Sequence, residues 1–275
     1  MKALVLFSGG LDSRLAVKLL QEKGIEVEAV FFKLPFGGGC CKDVMCSFKF
    51  TQGNRVKLHI VDCTKGKNLK EYLELVKKPR HGYGAGINPC IDCKIFMFKK
   101  AEELRKKIKA DFLATGEVLG QRPMSQHKRA FSIIDEQVPG IKRPLIELGI
   151  VGRKRDKQIE LANKFKITYP MPGGGCLLCE KELAQRFKFI LEKNLISEKT
   201  LELAKIGRHF WIDGWLIVSR NQEESDILDN CKTVIKSGKR KPTVYYHDKQ
   251  NKQTAEEMQK AFEARKQDKY DKFRI

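Results

Sequence analysis

Nowhere in its 275 residues does the chain carry an apolar run long enough to cross a bilayer. The longest, such as 3–7 and 29–32, have the length of single strands. No signal peptide precedes the first of them, so the expected location is cytoplasmic, with no membrane partner. Internal repeats and low-complexity linkers are missing too, which leaves a domain boundary only loosely placed within 180–206. Acidic residues are in deficit: 34 Asp+Glu face 54 Lys+Arg, for a formal net charge of +20. Such a balance favours a polyanionic partner, although a solvated lysine-rich surface of the heat-adapted kind has the same composition. At 275 residues there is room for one sizeable core and a small second domain.

What is present starts at residue 8. Ser8-Gly9-Gly10-Leu11-Asp12-Ser13 joins the apolar run 3–7 to a helical pattern that begins near Leu11. Two adjacent glycines allow a sharp turn with N–H groups facing outward, and the helix adds the positive end of its dipole. Ser8 and Ser13 add hydroxyl donors, so the junction suits phosphate. The P-loop for β/γ-phosphates is excluded, because its long spacing and Gly-Lys-Ser/Thr ending are absent. An ordinary tight strand–helix turn is the plain alternative.

Strand-like runs at 3–7, 27–32, 58–62, 112–115 and near 131–134 alternate with helical runs at 11–23, 69–77 and 91–108. The alternation predicts an α/β fold with a parallel sheet covered on both faces and ligands beyond the strands' carboxyl ends. Past Thr168 the pattern breaks at a Pro- and Gly-rich loop, followed by helical runs at 183–192 and 197–205. A shorter α+β unit closes the chain, with a hairpin about Asp213-Gly214. Asn221 with Glu224, and Thr254 with Glu257, have capping-box spacing for two late helices.

Nine cysteines in a cytosolic chain argue against a disulfide framework. Cys90 and Cys93 form one C-x-x-C, Cys176 and Cys179 another, and Cys40, Cys41 and Cys46 cluster in a Gly-rich loop. That trio has no assigned role. Cys63 and Cys231 stand alone and read as small buried hydrophobes.

Taken together, the motifs carry a resemblance. Ser8 to Ser13 resembles the PP-loop of the ATP pyrophosphatases. Asn88-Pro89-Cys90-Ile91-Asp92-Cys93, the stretch from Ala114 to Gln126, Arg143-Pro144-Leu145 and Gly174-Gly175-Cys176-Leu177-Leu178 then follow in order. This looks like the tRNA thiouridylase branch of that superfamily, near the 2-thiouridylases and 4-thiouridine synthases. The match spans most of 1–180, expected to be an adenine nucleotide alpha hydrolase-like (PP-loop) thiolation domain. Residues 181–206 are expected to connect it to a small C-terminal domain, 207–275. That last stretch is similar to the RNA-binding domain of NFACT proteins, on Gly207 to Phe210 and Leu216 to Glu224. Its cations, Arg208, His209, Arg220 and 236–241, would meet phosphates. Phe210, Trp211, Trp215 and Tyr245 would stack on bases, or else Trp211 and Trp215 are simply core. The 4-thiouridine synthases usually carry RNA-recognition modules ahead of the PP-loop; here such a module is expected C-terminal or in trans.

The resemblance implies a tRNA sulfurtransferase that adenylates a uridine carbonyl oxygen with ATP, releases pyrophosphate and replaces the oxygen with sulfur. It implies Mg²⁺, with Asp12 a candidate ligand, and nucleotide or base contacts from Gly116, Glu117, Gln121 and Ser125, with Arg143 on phosphate. Three uses of the cysteines stay open. Cys90, Cys93 and Cys176 would hold a [4Fe–4S] cluster, as in the cluster-dependent tRNA thiolases. Alternatively one cysteine carries a persulfide that another releases as a disulfide. In the third reading Cys179 completes a Cys₄ site for structural Zn²⁺, although the two pairs stand about 80 residues apart, beyond the usual ribbon spacing. Asp92 would be a general acid/base or, preferred, a helix N-cap. The sulfur donor, the uridine and the oligomeric state stay unassigned. An ATP-dependent amidoligase acting on a small molecule, or a non-catalytic RNA-binding adaptor, are the other classes.

Overall fold

A computed structural model of the chain describes residues 1–37, 44–171, 175–236, 238 and 241–275. The chain divides into two compact units, Met1–Ala184 and Gln185–Ile275.

In the first unit, β1 (Lys2–Leu6), β2 (Glu26–Lys33), β3 (Lys57–Asp62) and β4 (Phe112–Thr115) form a parallel sheet in the order β3-β2-β1-β4. Successive β1 side chains face opposite layers, as the two-residue strand period requires. Ala3 and Val5 pack with Leu11, Leu15 and Ala16 of α1 (Leu11–Glu22). Leu4 packs with Phe98 of α4 (Cys90–Lys107) and Ile134 of α5 (Lys128–Gln137). These β1 side chains are fully buried, each large one contributing about 1.5–3 kcal/mol. The unit's other α-helices among the described residues are α2 (Val44–Gly53), α3 (Gly66–Lys77), α6 (Pro144–Glu147) and α7 (Asp156–Lys164).

Residues 131–134, expected as a strand, lie in the helix α5. Ala130, Phe131 and Ile134 form its buried face, and the His127 ring accepts the Ala130 N–H as an N-cap. A four-residue apolar run does not distinguish strand from helix by periodicity alone. The chain passes the β4 edge later, where Lys142 makes two backbone hydrogen bonds, to Leu113 and Thr115.

A helix α8 (Lys181–Glu192) leads into the second unit. Residues 197–205, expected to be helical, instead form turns ending in a short 3₁₀ segment, Leu203–Lys205. Ser197 and Thr200 exchange side-chain and backbone hydrogen bonds, a local alternative to the helical ladder. The strands β5 (Arg208–Trp211) and β6 (Trp215–Val218) form the expected hairpin, with Asp213 in the left-handed region at φ 53°. The helix α9 (Gln222–Asp229) follows; then β7 (Val234–Ile235) and β8 (Val244–Tyr246) complete an antiparallel sheet in the order β5-β6-β8-β7. The helix α10 (Lys252–Glu263) covers it through Ala255 and Met258. The α9 cap is half a capping box: Asn221 accepts the Glu224 N–H, but the Glu224 carboxylate turns to the Arg220 N–H. Thr254 is not a cap, because α10 already begins at Lys252 behind Asn251.

The aromatic side chains assigned to base stacking are mostly core. Phe210, Trp215 and Tyr245 are buried, and only Trp211 stays half-exposed. His209 is buried too, so it is not a phosphate contact. Its Nδ1 accepts from Trp215 Nε1 at 2.9 Å and its Nε2 lies 2.7 Å from the Ile206 carbonyl. Burial, with Arg186 nearby, lowers its pKa from 6.5 to about 3. The unfolded chain therefore binds a proton below pH 6.5 that the folded chain refuses down to about pH 3, and stability falls across that window. At pH 5 the loss from this one ring is about 2 kcal/mol. Thermal unfolding followed against pH is expected to show this acid slope, and His209→Gln to flatten it.

Candidate functional site

The loop after β1 turns at Gly9, whose φ of +78° suits glycine, where a side chain would also press on Ser47. Gly10 is the N-cap of α1 without a side-chain cap bond, so the first-turn N–H groups stay open to an anion. Ser13 Oγ donates to the Gly10 carbonyl at 2.9 Å and stands 3.4 Å from Ser8 Oγ. Leu11 differs from its neighbours: its side chain is buried in the core, leaving only its backbone to the loop. Arg14, not foreseen, clamps the turn from below. Its Nε donates to the Gly9 carbonyl at 2.7 Å and its Nη1 to Thr168 O at 2.6 Å.

Gly116 follows β4 and lies against the Asp12 and Ser13 backbone, where any β-carbon would collide. Glycine is required there for this close approach. Asp12 Oδ2 accepts from Gln121 Nε2 at 3.0 Å, whereas its Oδ1 is buried without a hydrogen-bond partner. Burial raises the Asp12 pKa, opposed by the Gln121 hydrogen bond and by the charges of Arg155 and Arg122. Ser125 is buried in the same segment.

Glu117, 2% exposed, sits in the centre of a chain of charges. Lys94 Nζ lies 2.9 Å from its Oε1, and Arg143 Nε donates to its Oε2 at 3.3 Å. Arg143 also forks onto Asp135 at 2.8 and 3.0 Å and lies over the Phe131 ring at 4.2 Å. Glu117 and Arg143, expected at the nucleotide and at phosphate, stand in this network. Asp92 is not an N-cap: α4 starts at Cys90 behind Pro89, and Asp92 accepts from the His81 N–H at 3.0 Å and lies 2.9 Å from its Nδ1.

Both C-x-x-C pairs meet. Cys90 and Cys93 occupy the first turn of α4. The loop bearing Cys176 is bound to two neighbours through its backbone: Leu177 N–H to Phe36 O at 2.9 Å, and Ile87 N–H to Leu178 O at 3.0 Å. A side chain at Gly86 would collide with that same Leu178 carbonyl. Cys179 is near enough to Cys176 and Cys90, and Cys93 to Cys176, for each to act on the other's ionisation. Asn88 Nδ2 donates to Cys90 Sγ at 3.1 Å and Tyr72 Oη lies 3.4 Å from Cys93 Sγ. Burial pushes Cys93 up to about 11, opposed by the Tyr72 hydrogen bond and by Lys94. The bond from Cys176, aided by Arg122, lowers the exposed Cys179 to about 6. Among the described residues no three His, Cys, Asp or Glu groups are arranged to hold a metal ion. The donors gathered here are sulfur alone, which suits a thiophilic metal or cluster. Cys40 and Cys41 lie outside the described residues. Cys46 accepts a hydrogen bond from Arg14 at 3.0 Å. Cys63 is buried and pushed up to about 12, as expected of a structural thiol.

Lys94, Tyr72 and Arg122 carried no assignment from sequence. Lys94 was findable by its place directly after Cys93, while Tyr72 carried no signal. The charge of Arg122 lowers the pKa of Asp12 and of Cys179 alike. Among the described residues no helix is long and apolar enough to cross a membrane.

A parallel sheet with an uncapped glycine turn after its first strand and a cysteine cluster beyond the strand ends defines the PP-loop class. Within that class, the family model described as thiamine biosynthesis protein (ThiI) matches residues 1–176, and the chain belongs to this family. A probable tRNA sulfurtransferase of Thermoanaerobacter sp. (strain X514) is 33% identical over 218 residues, covering 76% of this chain and 53% of that protein. Another, from Sulfurisphaera tokodaii, is 27% identical, covering 74% and 54%. The chain thus spans about half the length of these relatives. A solved 4-thiouridine synthetase–RNA complex with bound ATP shares the fold at a TM-score of 0.50 and 24% identity, covering 74% of this chain and 52% of that one.

Glu117 makes the strongest test of this geometry. Glu117→Gln leaves Lys94 and Arg143 facing a neutral group and is expected to cost about 3 kcal/mol in denaturant unfolding. Asp135→Asn, at the exposed end of the network, is expected to cost no more than about 1 kcal/mol.

Proposed function

We propose that the chain is an ATP-dependent tRNA sulfurtransferase that replaces a uridine carbonyl oxygen with sulfur. The observation that carries this reading is the meeting of Cys90, Cys93 and Cys176 beside Lys94, whose partner Glu117 follows the glycine packed on the Asp12 backbone. Uridine oxygen attacks the α-phosphorus of ATP, and pyrophosphate leaves into the open N–H groups at Gly10 and the first turn of α1. The buried, partnerless Oδ1 of Asp12 is an acceptor suited to Mg²⁺, a hard cation that would offset the phosphate charge. Sulfide then adds to the activated carbon, and AMP departs with the original oxygen.

Cys90, Cys93 and Cys176 would hold a [4Fe–4S] cluster, which when bound presents one open iron to an external sulfide. Asn88 and Tyr72 orient two of these thiols, and Lys94 offsets their charge on ionisation. A second reading, a Cys₄ zinc site, is favoured by the contacts of Cys179 with Cys176 and Cys90. The persulfide route uses the same thiols without a metal. Against an amidoligase stands the thiol cluster, for which that chemistry has no use. Against a non-catalytic adaptor stands the open turn at Gly10.

Anaerobic purification is expected to yield brown protein with iron and labile sulfide; colourless protein with one tight zinc would overturn the cluster. Cys176→Ala is expected to abolish thionucleoside formation on tRNA, read by mass spectrometry, with ATP affinity unchanged. Loss of both would mean that Cys176 is structural.

A further inference from the structure

The second unit contains a cleft of about 620 Å³ whose wall includes Arg208, Arg220, Lys241, Arg265 and Arg274, against one carboxylate, Asp271. Arg220 is paired with Glu224, and Lys241 with Glu263 at 3.0 Å. Among the described residues Arg208, Arg265 and Arg274 pair with no carboxylate. Behind them, Arg186 on α8 is only 9% exposed, and its Nε and Nη1 are buried without hydrogen-bond partners. Burial lowers its pKa, and the charges of Arg220 and Arg274 lower it further.

A buried guanidinium with two unmet donors, repelled by two neighbouring guanidiniums, is unfavourable on its own. An anion in the cleft offsets that repulsion. Guanidinium forks match phosphate oxygens in pairs, which a carboxylate-poor cleft leaves free to act. Five cationic side chains exceed what a single orthophosphate requires. In the same wall the Arg208 guanidinium lies over the half-exposed Phe262 ring at 5.8 Å, which holds it at the cleft.

We propose that this cleft grips RNA through its phosphodiester backbone, with the unpaired Arg208, Arg265 and Arg274 as the donors and Arg186 adding its charge from outside the wall. The inference rests on the thiolation reading only for the choice of tRNA as the RNA. Binding here needs neither ATP nor sulfur, so it fails or succeeds separately from that reading.

The test uses the full chain, an unmodified tRNA transcript followed by anisotropy over a salt series, and inorganic phosphate followed by thermal shift. Arg265→Gln with Arg274→Gln is expected to weaken tRNA binding about tenfold or more at 0.1 M salt. The slope of log K against log salt is expected to fall by about two, one per lost phosphate contact. Arg186→Met is expected to weaken binding as well; should it fail to fold, the double variant decides alone. Unchanged affinity and slope in the double variant would overturn the proposal. If tRNA binding is unchanged but 10 mM-scale phosphate (roughly, as for a weak anion site) stabilises the wild type and not the variants, the ligand is free phosphate and RNA is overturned.

Discussion

Glu117 is the residue through which the site coheres. Its carboxylate is nearly inaccessible to water, so its charge is tolerable only with Lys94 and Arg143 in place. Lys94 adjoins Cys93 on α4, and Glu117 adjoins Gly116, whose bare backbone rests on Asp12 and Ser13. A short relay thus ties the thiols to the glycine turn. Arg143 carries the same tie outward to Asp135 on α5. Charge neutrality and close packing together hold the loop that starts at Ser8 against the helix that starts at Cys90.

The cysteine loop is held by a different kind of bond. Leu177 and Leu178 use main-chain groups to join Phe36 and Ile87, and Gly86 leaves room for that approach. Side chains are thereby left to the chemistry. Around the thiols, Asn88 and Tyr72 act directly on sulfur, while Lys94 and Arg122 act through charge. The exposed Cys179 is the easiest of the four to ionise and Cys93 a harder one. That inequality is a property of the metal-free thiols, and a bound cation would reorder it.

The two units differ in how polar groups are satisfied. In the first, the buried Glu117 is matched by Lys94 and Arg143. In the second, Arg186 is buried without a hydrogen-bond partner for two of its nitrogens, and uncovered arginines line the adjoining cleft. The stacking role expected of Trp215 and Tyr245 fails because a sheet this small needs its large rings for its own core. His209, read as a cation, is a neutral bracket between Trp215 and Ile206. Aromatic and basic composition signalled nucleic acid only in aggregate; which residues face outward was invisible.

Local pattern alone determined the four parallel strands, the glycine turn, α1, α4 and the hairpin at Asp213, because each is set by periodicity or turn chemistry within about ten neighbours. It misjudged α5 and the segment 197–205, where short apolar runs and Ser–Thr hydrogen bonds make local preference ambiguous. It also named the four cysteines, since their spacing is itself a chemical signature. Tertiary structure decided that Gly116 is a packing contact, that Glu117 and Arg143 pair inward, that Asp92 binds His81, and that Arg14 and Tyr72 matter at all. Those outcomes depend on which side chains meet across a hundred residues and on which are denied water, and neither distance nor burial is written in a linear pattern.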